Sequence, residues 1–453
     1  MTVNRRSFLK MTLATTATAL TGCGSALPAR ARPSARPHIV FIIADDLGWG
    51  DVGYHDSEIK TPNIDRLAAE SVVLDRHYVM PTCTPTRVGL MTGHYPSRYG
   101  VTAPAYGAIF RDDTVTLATA LRSAGYETSI AGKWHMGSPP EYTPLKYGFD
   151  HSYGYFHGQC DPYTHDYKTG AVSWHRDDAY LDEQGHATDL ITAEAVRTIE
   201  RSSRERPLFL CVAYSVPHYP LSEPDEWLDM YPDMGESSRR WYAAATTHMD
   251  AGIGRIIEAL DERGLRKDTL IVFVSDNGGQ KSWHSKTEYD GRYADKPHTV
   301  LGNNRPLRGW KGDLYEGGIR VPALISRPGV LEPARCAAPL HIVDWMPTLC
   351  RLVGYRSERE LAWDGRDVWD ALFGRGSELE TRTMYWKTPN GWAARRGPWK
   401  LIVSKGNKAP ELYDVVADPY ETTDTASANP DKLAELQSLL ESLRTGDGEK
   451  VDG

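Results

Sequence analysis

The chain has 453 residues, of which 40% are hydrophobic and 10% aromatic, enough to bury a sizeable core and to exclude a disordered or fibrous protein. That length fits two to three domains, or one large α/β domain with an appendage. The formal charge is −8 and grows more negative without the basic N-terminus, so no basic stripe points to a nucleic-acid partner.

Asn4-Arg5-Arg6-Ser7-Phe8-Leu9-Lys10 has the form of a twin-arginine export signal. The Ala/Thr/Leu stretch over residues 11–22 is too short and too weakly apolar to span a bilayer. Leu20-Thr21-Gly22-Cys23 has the form of a lipobox, so Cys23 is expected to carry the lipid, against the plainer reading of an ordinary signal with an incidental cysteine. Residues 1–23 thus read as a signal and 24–37, rich in Pro and Arg, as an extended tether. The expected location is a bacterial periplasm or cell envelope, reached in the folded state, with membrane contact through the N-terminal lipid alone. Cys160, Cys211, Cys336 and Cys350 are then open to disulfide formation in any of three pairings.

From His38 onward, short apolar runs alternate with amphipathic stretches, the pattern of a large, mostly parallel sheet sandwiched by helices. His38-Ile39-Val40-Phe41-Ile42-Ile43-Ala44 stops at Asp45-Asp46, and a shorter strand from Glu127 stops at Gly132-Lys133-Trp134-His135. A third strand, Pro207 to Tyr214, runs into Ser215-Val216-Pro217-His218, and a fourth, Leu270 to Ser275, into Asp276-Asn277-Gly278-Gly279. Helices are expected over residues 62–71, 114–124, 190–201 and 239–263. Parallel strands bring their carboxyl ends to one sheet edge, where open α/β folds bind ligands. Each pair of residues alone is as well explained by a cap or loop; four together predict one site. Asp45, Asp46, Asp276 and Asn277 offer only oxygen ligands and suit a hard cation of the calcium or magnesium type. Arg87, Lys133, His135 and His218 add positive charge and proton donors, the surroundings an anionic tetrahedral ester requires. Up to this point sulfur and phosphorus are equally served.

Pro81-Thr82-Cys83-Thr84-Pro85-Thr86-Arg87 supplies a nucleophile, although a small buried thiol ahead of a helix is the plainer account of the cysteine alone. This stretch resembles the Cys-x-Pro-Ser/Thr-Arg signature of the formylglycine-dependent (type I) sulfatases of the alkaline phosphatase superfamily. Gly125 to His135 is similar to that family's second signature, and Glu411-Leu412-Tyr413-Asp414…Asp418-Pro419 to its C-terminal motif. The resemblance implies an alkaline-phosphatase-like fold and an arylsulfatase-like sulfuric ester hydrolase acting on a sulfated oligosaccharide or aryl sulfate. It implies that a formylglycine-generating enzyme converts Cys83 to formylglycine (3-oxoalanine), whose hydrate attacks sulfur. One calcium ion would be held by Asp45, Asp46, Asp276, Asn277 and residue 83. Arg87 would hold the hydrate, His135 act as base, Lys133 and Lys311 grip the sulfate, and His218 protonate the leaving alcohol.

Lys311 lies in Gly302-Asn303-Asn304-Arg305-Pro306-Leu307-Arg308-Gly309-Trp310-Lys311-Gly312, followed by Glu316-Gly317-Gly318, a pattern similar to the N-acetylgalactosamine-4-sulfatase (arylsulfatase B) branch. Asp161-Pro162-Tyr163-Thr164-His165 resembles a substrate-facing stretch of that branch with Thr164 in place of Ser, so Thr164 and His165 are expected as substrate contacts. Residues 281–300 form an insert expected at the pocket mouth, and a basic wall built there by Lys281, Lys286 and Arg292 is the alternative that would favour a polymeric substrate. The catalytic domain is expected over 38–360 and a small α+β subdomain over 361–453. In the latter, runs from Trp392 to Val403 and from Glu411 to Val416 predict antiparallel strands about a turn at Gly406-Asn407, and residues 430–444 a closing helix. The competing readings are a phosphodiesterase or phosphonate monoester hydrolase of the same superfamily, and a sulfated-glycan-binding lipoprotein that never acquires formylglycine. The acidic surface around one cationic pocket predicts faster action on short sulfated sugars than on a long polyanion.

Overall fold

His38–Ala44 forms a central strand of a ten-stranded sheet in the computed structural model, which describes residues 36–138, 141–283, 286–406 and 408–450. Arg5, Arg6 and Cys23, which carry the export and lipid expectations, lie outside the described residues. In chain order the strands are β1 (His38–Ala44), β2 (Val72–Leu74), β3 (His77–Tyr78), β4 (Glu127–Lys133), β5 (His151–Tyr155) and β6 (Trp174–Arg176). They continue with β7 (Ala179–Tyr180), β8 (Leu208–Ala213), β9 (Thr269–Ser275), β10 (Ala323–Ser326), β11 (Ala334–Cys336) and β12 (Leu340–His341). The sheet order is β11-β2-β10-β9-β1-β8-β4-β5-β6-β7, with β3 and β12 forming a separate pair. The middle, from β9 through β5, is parallel throughout; β6, β7 and β10 run antiparallel to their neighbours.

Apolar side chains on both faces of β1 explain its unbroken hydrophobic run. Ile39, Phe41 and Ile43 pack with Leu121 and Leu349 of the helices Leu117–Ser123 and Trp345–Val353. Val40, Ile42 and Ala44 pack on the opposite face with Ile191 and Ile253 of Ala187–Arg201 and Ser238–Glu262. The expected helix over 114–124 begins only at Leu117, because the Thr116 side chain caps it by accepting from the Thr119 amide at 3.0 Å. No helix among the described residues is long and apolar enough to cross a membrane.

The C-terminal part adds a four-stranded antiparallel sheet of β13 (Thr383–Thr388), β14 (Gly391–Arg396), β15 (Trp399–Ser404) and β16 (Glu411–Asp414), with the helix Pro430–Arg444. The run from Trp392 to Val403 is two strands rather than one. Arg396 pairs with Trp399 across a two-residue Gly397-Pro398 turn, and Gly397 takes the positive φ that such a turn needs at its first position.

The disulfide expectation is corrected: Cys160, Cys211, Cys336 and Cys350 are all free, buried thiols. The sheet separates Cys160 from the other three, which pack in the opposite core cluster. Cys336 donates instead to Ala371 O, and Cys350 lies 3.9 Å from Met346 Sδ.

The two sheets are joined by buried charge. Lys400 on β15 lies 3.0 Å from Glu316 and 2.9 Å from Glu421, with all three side chains fully buried. Removing one partner of such a set leaves uncompensated buried charge. Lys400→Met is therefore expected to lower unfolding free energy by about 3–5 kcal/mol, measured by urea denaturation; a loss below about 1 kcal/mol would contradict this role for the ion cluster.

Candidate active site

The register places the predicted residues side by side. Ala44 pairs with Ser275, so Asp45-Asp46 and Asp276-Asn277 leave the sheet together. Gly132 pairs with Ala213 across β4 and β8, which puts Lys133 beside the chain that continues to His218. Gly132 has φ +112°, and a Cβ there would lie 1.9 Å from Ala213 O, so the strand can enter Lys133 in this conformation only with glycine. Cys83 and Arg87 sit one helical turn apart at the start of Cys83–Thr92, sharing a face. The helix entry is latched by Thr86 Oγ1, which accepts from Met80 N at 3.0 Å.

Lys311 arrives from a long loop bound to the same edge. Asn304 imitates a strand neighbour to Gly279, accepting from its amide at 2.7 Å and donating to its carbonyl at 3.1 Å. Lys311 N donates to Gly279 O at 3.2 Å, and Gly312 N donates to Pro81 O at 2.8 Å. The Asn-Asn…Trp-Lys-Gly motif thus ties the Asp276 turn to the segment preceding Cys83.

The result is a buried set of alternating charges. Lys133 Nζ donates to Asp45 Oδ2 at 2.5 Å, and Lys311 Nζ lies 2.6 Å from Asp46 Oδ1. Arg87 donates to Asp276 Oδ2 and to Lys133 O, each at 2.9 Å. Asn277 Nδ2 donates to Asp46 Oδ1 at 2.7 Å. Burial works against the Lys133 and Lys311 ammonium groups, but Asp45 and Asp46 beside them outweigh it and hold both pKa values above the ordinary lysine range. Burial lifts the Cys83 thiol, with Lys133 and Lys311 partly offsetting it. The His135 ring is held well below its usual pKa by burial and then by Lys133, Arg87 and Lys311. Both of its nitrogens lack hydrogen-bond partners, and Gly158 makes room for the ring: a Cβ there would lie 2.6 Å from it. His218 donates from Nδ1 to Tyr219 O, leaving Nε2 facing Asp46 Oδ2 at 3.8 Å.

Asp45 Oδ1, Asp46 Oδ2 and Asn277 Oδ1 are buried and without hydrogen-bond partners, and Asp45, Asp46 and His218 offer atoms within 4.8 Å of one another. Orphaned buried oxygens of this kind fit a hard cation. Three carboxylates already balance Arg87, Lys133 and Lys311, so an added dication gives the pocket net positive charge and readies it for an anion. All the residues expected at the site, Asp45, Asp46, Cys83, Arg87, Lys133, His135, His218, Asp276, Asn277 and Lys311, are brought to this one edge.

Thr164 and His165 have other engagements. His165 is buried against Trp174, ring centroids 4.4 Å apart, with Nε2 3.0 Å from Gly185 O, while Thr164 bonds Asp166 and Arg292. Arg292 does not join a basic wall either; it pairs with Asp161 at 3.0 Å and Asp166 at 2.8 Å. The insert packs on residues 159–168 through Tyr293, whose hydroxyl donates to Asp161 at 2.7 Å, and through the Lys168–Glu288 pair at 2.9 Å.

An aromatic rim escaped the sequence reading. Tyr106, 42% exposed, has its ring 5.5 Å from His135 and 6.0 Å from Tyr167, which stacks on His157 at 4.6 Å. Tyr219 lies 5.8 Å from Trp283 of the insert. These residues come from separate loops, and no local motif marks any of them.

A family model described as Sulfatase matches residues 37–355. Arylsulfatase J of Mus musculus is 32% identical over 90% of this chain and 75% of its own length. An N-acetylgalactosamine-6-O-sulfatase of Bacteroides thetaiotaomicron is 28% identical over 94% of this chain and 97% of its own. Among solved structures, Ps i-CgsB in complex with k-i-k-neocarrahexaose aligns with a TM-score of 0.82 and 29% identity, covering 91% of this chain and 94% of that one.

If the orphaned oxygens, with Asp276 beside them, hold a dication, Asp45→Asn and Asp276→Asn each remove one of its three charged ligands. Both are expected to lose bound calcium and at least ~100-fold in turnover. Elemental analysis of the purified variants checks this; a full equivalent of calcium retained in both contradicts the assignment.

Proposed function

The chain belongs to the sulfatase family and is a sulfuric ester hydrolase, and from that premise we propose that it removes sulfate from a sulfated sugar at the Cys83 pocket. The observation that carries this reading is Cys83, buried beside Lys133, Lys311 and Arg87 and next to three orphaned oxygens. When present, formylglycine at position 83 supplies a hydroxyl nucleophile, and a calcium ion at Asp45, Asp46, Asp276 and Asn277 supplies positive charge toward the sulfate.

The remaining work falls to the chain itself. Lys133 and Lys311 stay charged and hold the sulfate oxygens, and Arg87, fixed by Asp276 and Lys133 O, faces residue 83. His135 is uncharged and its nitrogens are open, as a proton acceptor requires. His218 has its Nδ1 proton committed to Tyr219 O, so Nε2 is the atom that delivers a proton to the departing alcohol.

The sugar is supported by the rim and by the relatives. Tyr106 offers an exposed ring face next to His135, the surface on which the apolar side of a sugar stacks. One relative is named for N-acetylgalactosamine 6-O-sulfate, and the solved neighbour holds a neocarrahexaose. That relative's name points to 6-sulfation where the Lys311 motif resembles the 4-sulfatase branch, so the assay offers both isomers. We also place the protein in a bacterial envelope, exported by Arg5-Arg6 and anchored at Cys23, a reading supported by the sequence alone.

Two experiments test the proposal. Co-expression with a formylglycine-generating enzyme should lighten the peptide containing residue 83, and Cys83→Ala should abolish hydrolysis of nitrophenyl sulfate while the fold persists. Residual activity within tenfold, or faster cleavage of a phosphate diester, contradicts the mechanism. Tyr106→Ala should raise KM for 4- or 6-sulfated N-acetylgalactosamine about tenfold, the factor that ~1.4 kcal/mol of lost stacking gives, with kcat little changed. An unchanged KM removes the rim from substrate recognition.

A further inference from the structure

On the opposite face of the sheet from the Cys83 helix, four side chains converge that the reaction does not use: His186, Asp189, Glu223 and His248. They come from three places, the start of the helix Ala187–Arg201, the loop beyond His218 and the middle of the helix Ser238–Glu262. His186, Asp189 and His248 offer ligand atoms within 4.8 Å of one another. Asp189 Oδ1 is 3.4 Å from His248 Nε2, the separation of two ligands that each sit ~2.0–2.1 Å from a shared ion in tetrahedral geometry.

The surroundings have the form of a metal site. His248 Nδ1 and Glu223 Oε2 are 2.7 Å apart, the carboxylate–histidine contact that fixes a ring and turns its other nitrogen toward a metal. His186 Nε2 and Glu223 Oε1 are buried, 3.5 Å apart, and neither makes a hydrogen bond. The ring of Trp227 stacks on His248 at 4.9 Å and that of Tyr163 meets His186 edge-on at 5.1 Å, giving the cluster apolar walls. Asp189, with a side chain 54% exposed, opens it to solvent.

We propose that His186, Asp189 and His248, with Glu223 behind them, form a second metal site for a borderline dication of the zinc type. Two imidazoles select such an ion over calcium, whereas the all-oxygen set at Asp45 does the reverse. Binding through His186 Nε2 moves that ring's proton to Nδ1 and exchanges the 3.2 Å cap contact from the Thr188 amide for a metal bond. Without the metal, a proton serves: burial disfavours a charged His248, but Asp189 and Glu223 outweigh it and raise its pKa to about 9. Because Glu223 ends the loop that carries His218, zinc here pins that loop to both helices.

The test titrates Zn2+ into the calcium-saturated holoenzyme, reading stoichiometry by calorimetry and elemental analysis. Wild type is expected to bind one zinc per chain and to gain thermal stability. His186→Asn keeps a favoured helix cap while removing the imidazole, and Asp189→Asn keeps shape while removing charge. Both are expected to weaken zinc binding at least tenfold, with calcium content and nitrophenyl sulfate turnover unchanged. Absence of zinc uptake by wild type overturns the proposal, as does wild-type zinc affinity in either variant, which would put the ion away from that side chain.

Discussion

Asp45, Asp46 and Asp276 are buried within a few ångströms of one another, an arrangement that Coulomb repulsion and lost hydration both oppose. Lys133, Lys311 and Arg87 make it tolerable, and each must arrive from a different element to do so. Much of the fold follows from that requirement. β4 has to lie next to β8 so that Lys133 meets Asp45, and the Cys83 helix has to enter pointing at the sheet edge so that Arg87 reaches Asp276. A parallel sheet is the scaffold that lets four strand ends meet without any strand crossing another.

Lys311 is the hardest of the three to place, because it lies on no strand or helix. Its loop is fastened along its length, among other points by Asn304 to Gly279, Gly312 to Pro81, and Glu316 to Lys400 of the C-terminal sheet. The last contact gives the second sheet a purpose beyond covering apolar surface. Its Lys400–Glu316–Glu421 set holds the far end of the loop whose near end delivers Lys311, so a charge buried in one sheet fixes a charge buried at the edge of the other.

The sequence made the catalytic edge readable because each central strand is a continuous apolar run that stops abruptly at chemistry: Asp45-Asp46, Lys133-Trp134-His135, Pro217-His218, Asp276-Asn277. Burial on both faces produces such runs, and parallel topology aligns their ends. The peripheral strands carry no comparable signal. β2, β7 and β11 have two or three residues each, too few for a period, and are strands only because a neighbour offers its backbone. Tyr106, Tyr167 and Trp283 were unreadable for another reason: they meet through tertiary folding of separate loops. The insert showed its charge but not its partners. Arg292 looked available for substrate, yet Asp161 and Asp166, more than a hundred residues earlier, take it. His186 and His248 are likewise separated by a whole strand and loop, so nothing local marks them as a pair.

The two candidate metal-binding sets would sort their ions by donor chemistry. At the sheet edge Asp45, Asp46 and Asn277 each leave one oxygen orphaned, and three buried cations stand among them. A borderline dication gains little from such ligands, while a hard one loses nothing by leaving water for carboxylates. At His186 and His248 the donors are imidazoles backed by Glu223, and among the described residues no lysine or arginine ion-pairs with that buried carboxylate. Arg255 lies 3.6 Å from Asp189 Oδ1, the oxygen that also faces His248 Nε2, and is half exposed there. Each set would be spoiled by the other's donors: an imidazole among the Asp45 oxygens would recruit zinc to the proposed site of sulfate hydrolysis. His218 comes nearest to doing so, and its bond from Nδ1 to Tyr219 O, with Nε2 held 3.8 Å from Asp46, keeps it in the place of a proton donor. The loop that carries it continues to Glu223, so the same segment that withholds a nitrogen from the first site presents a carboxylate to the second.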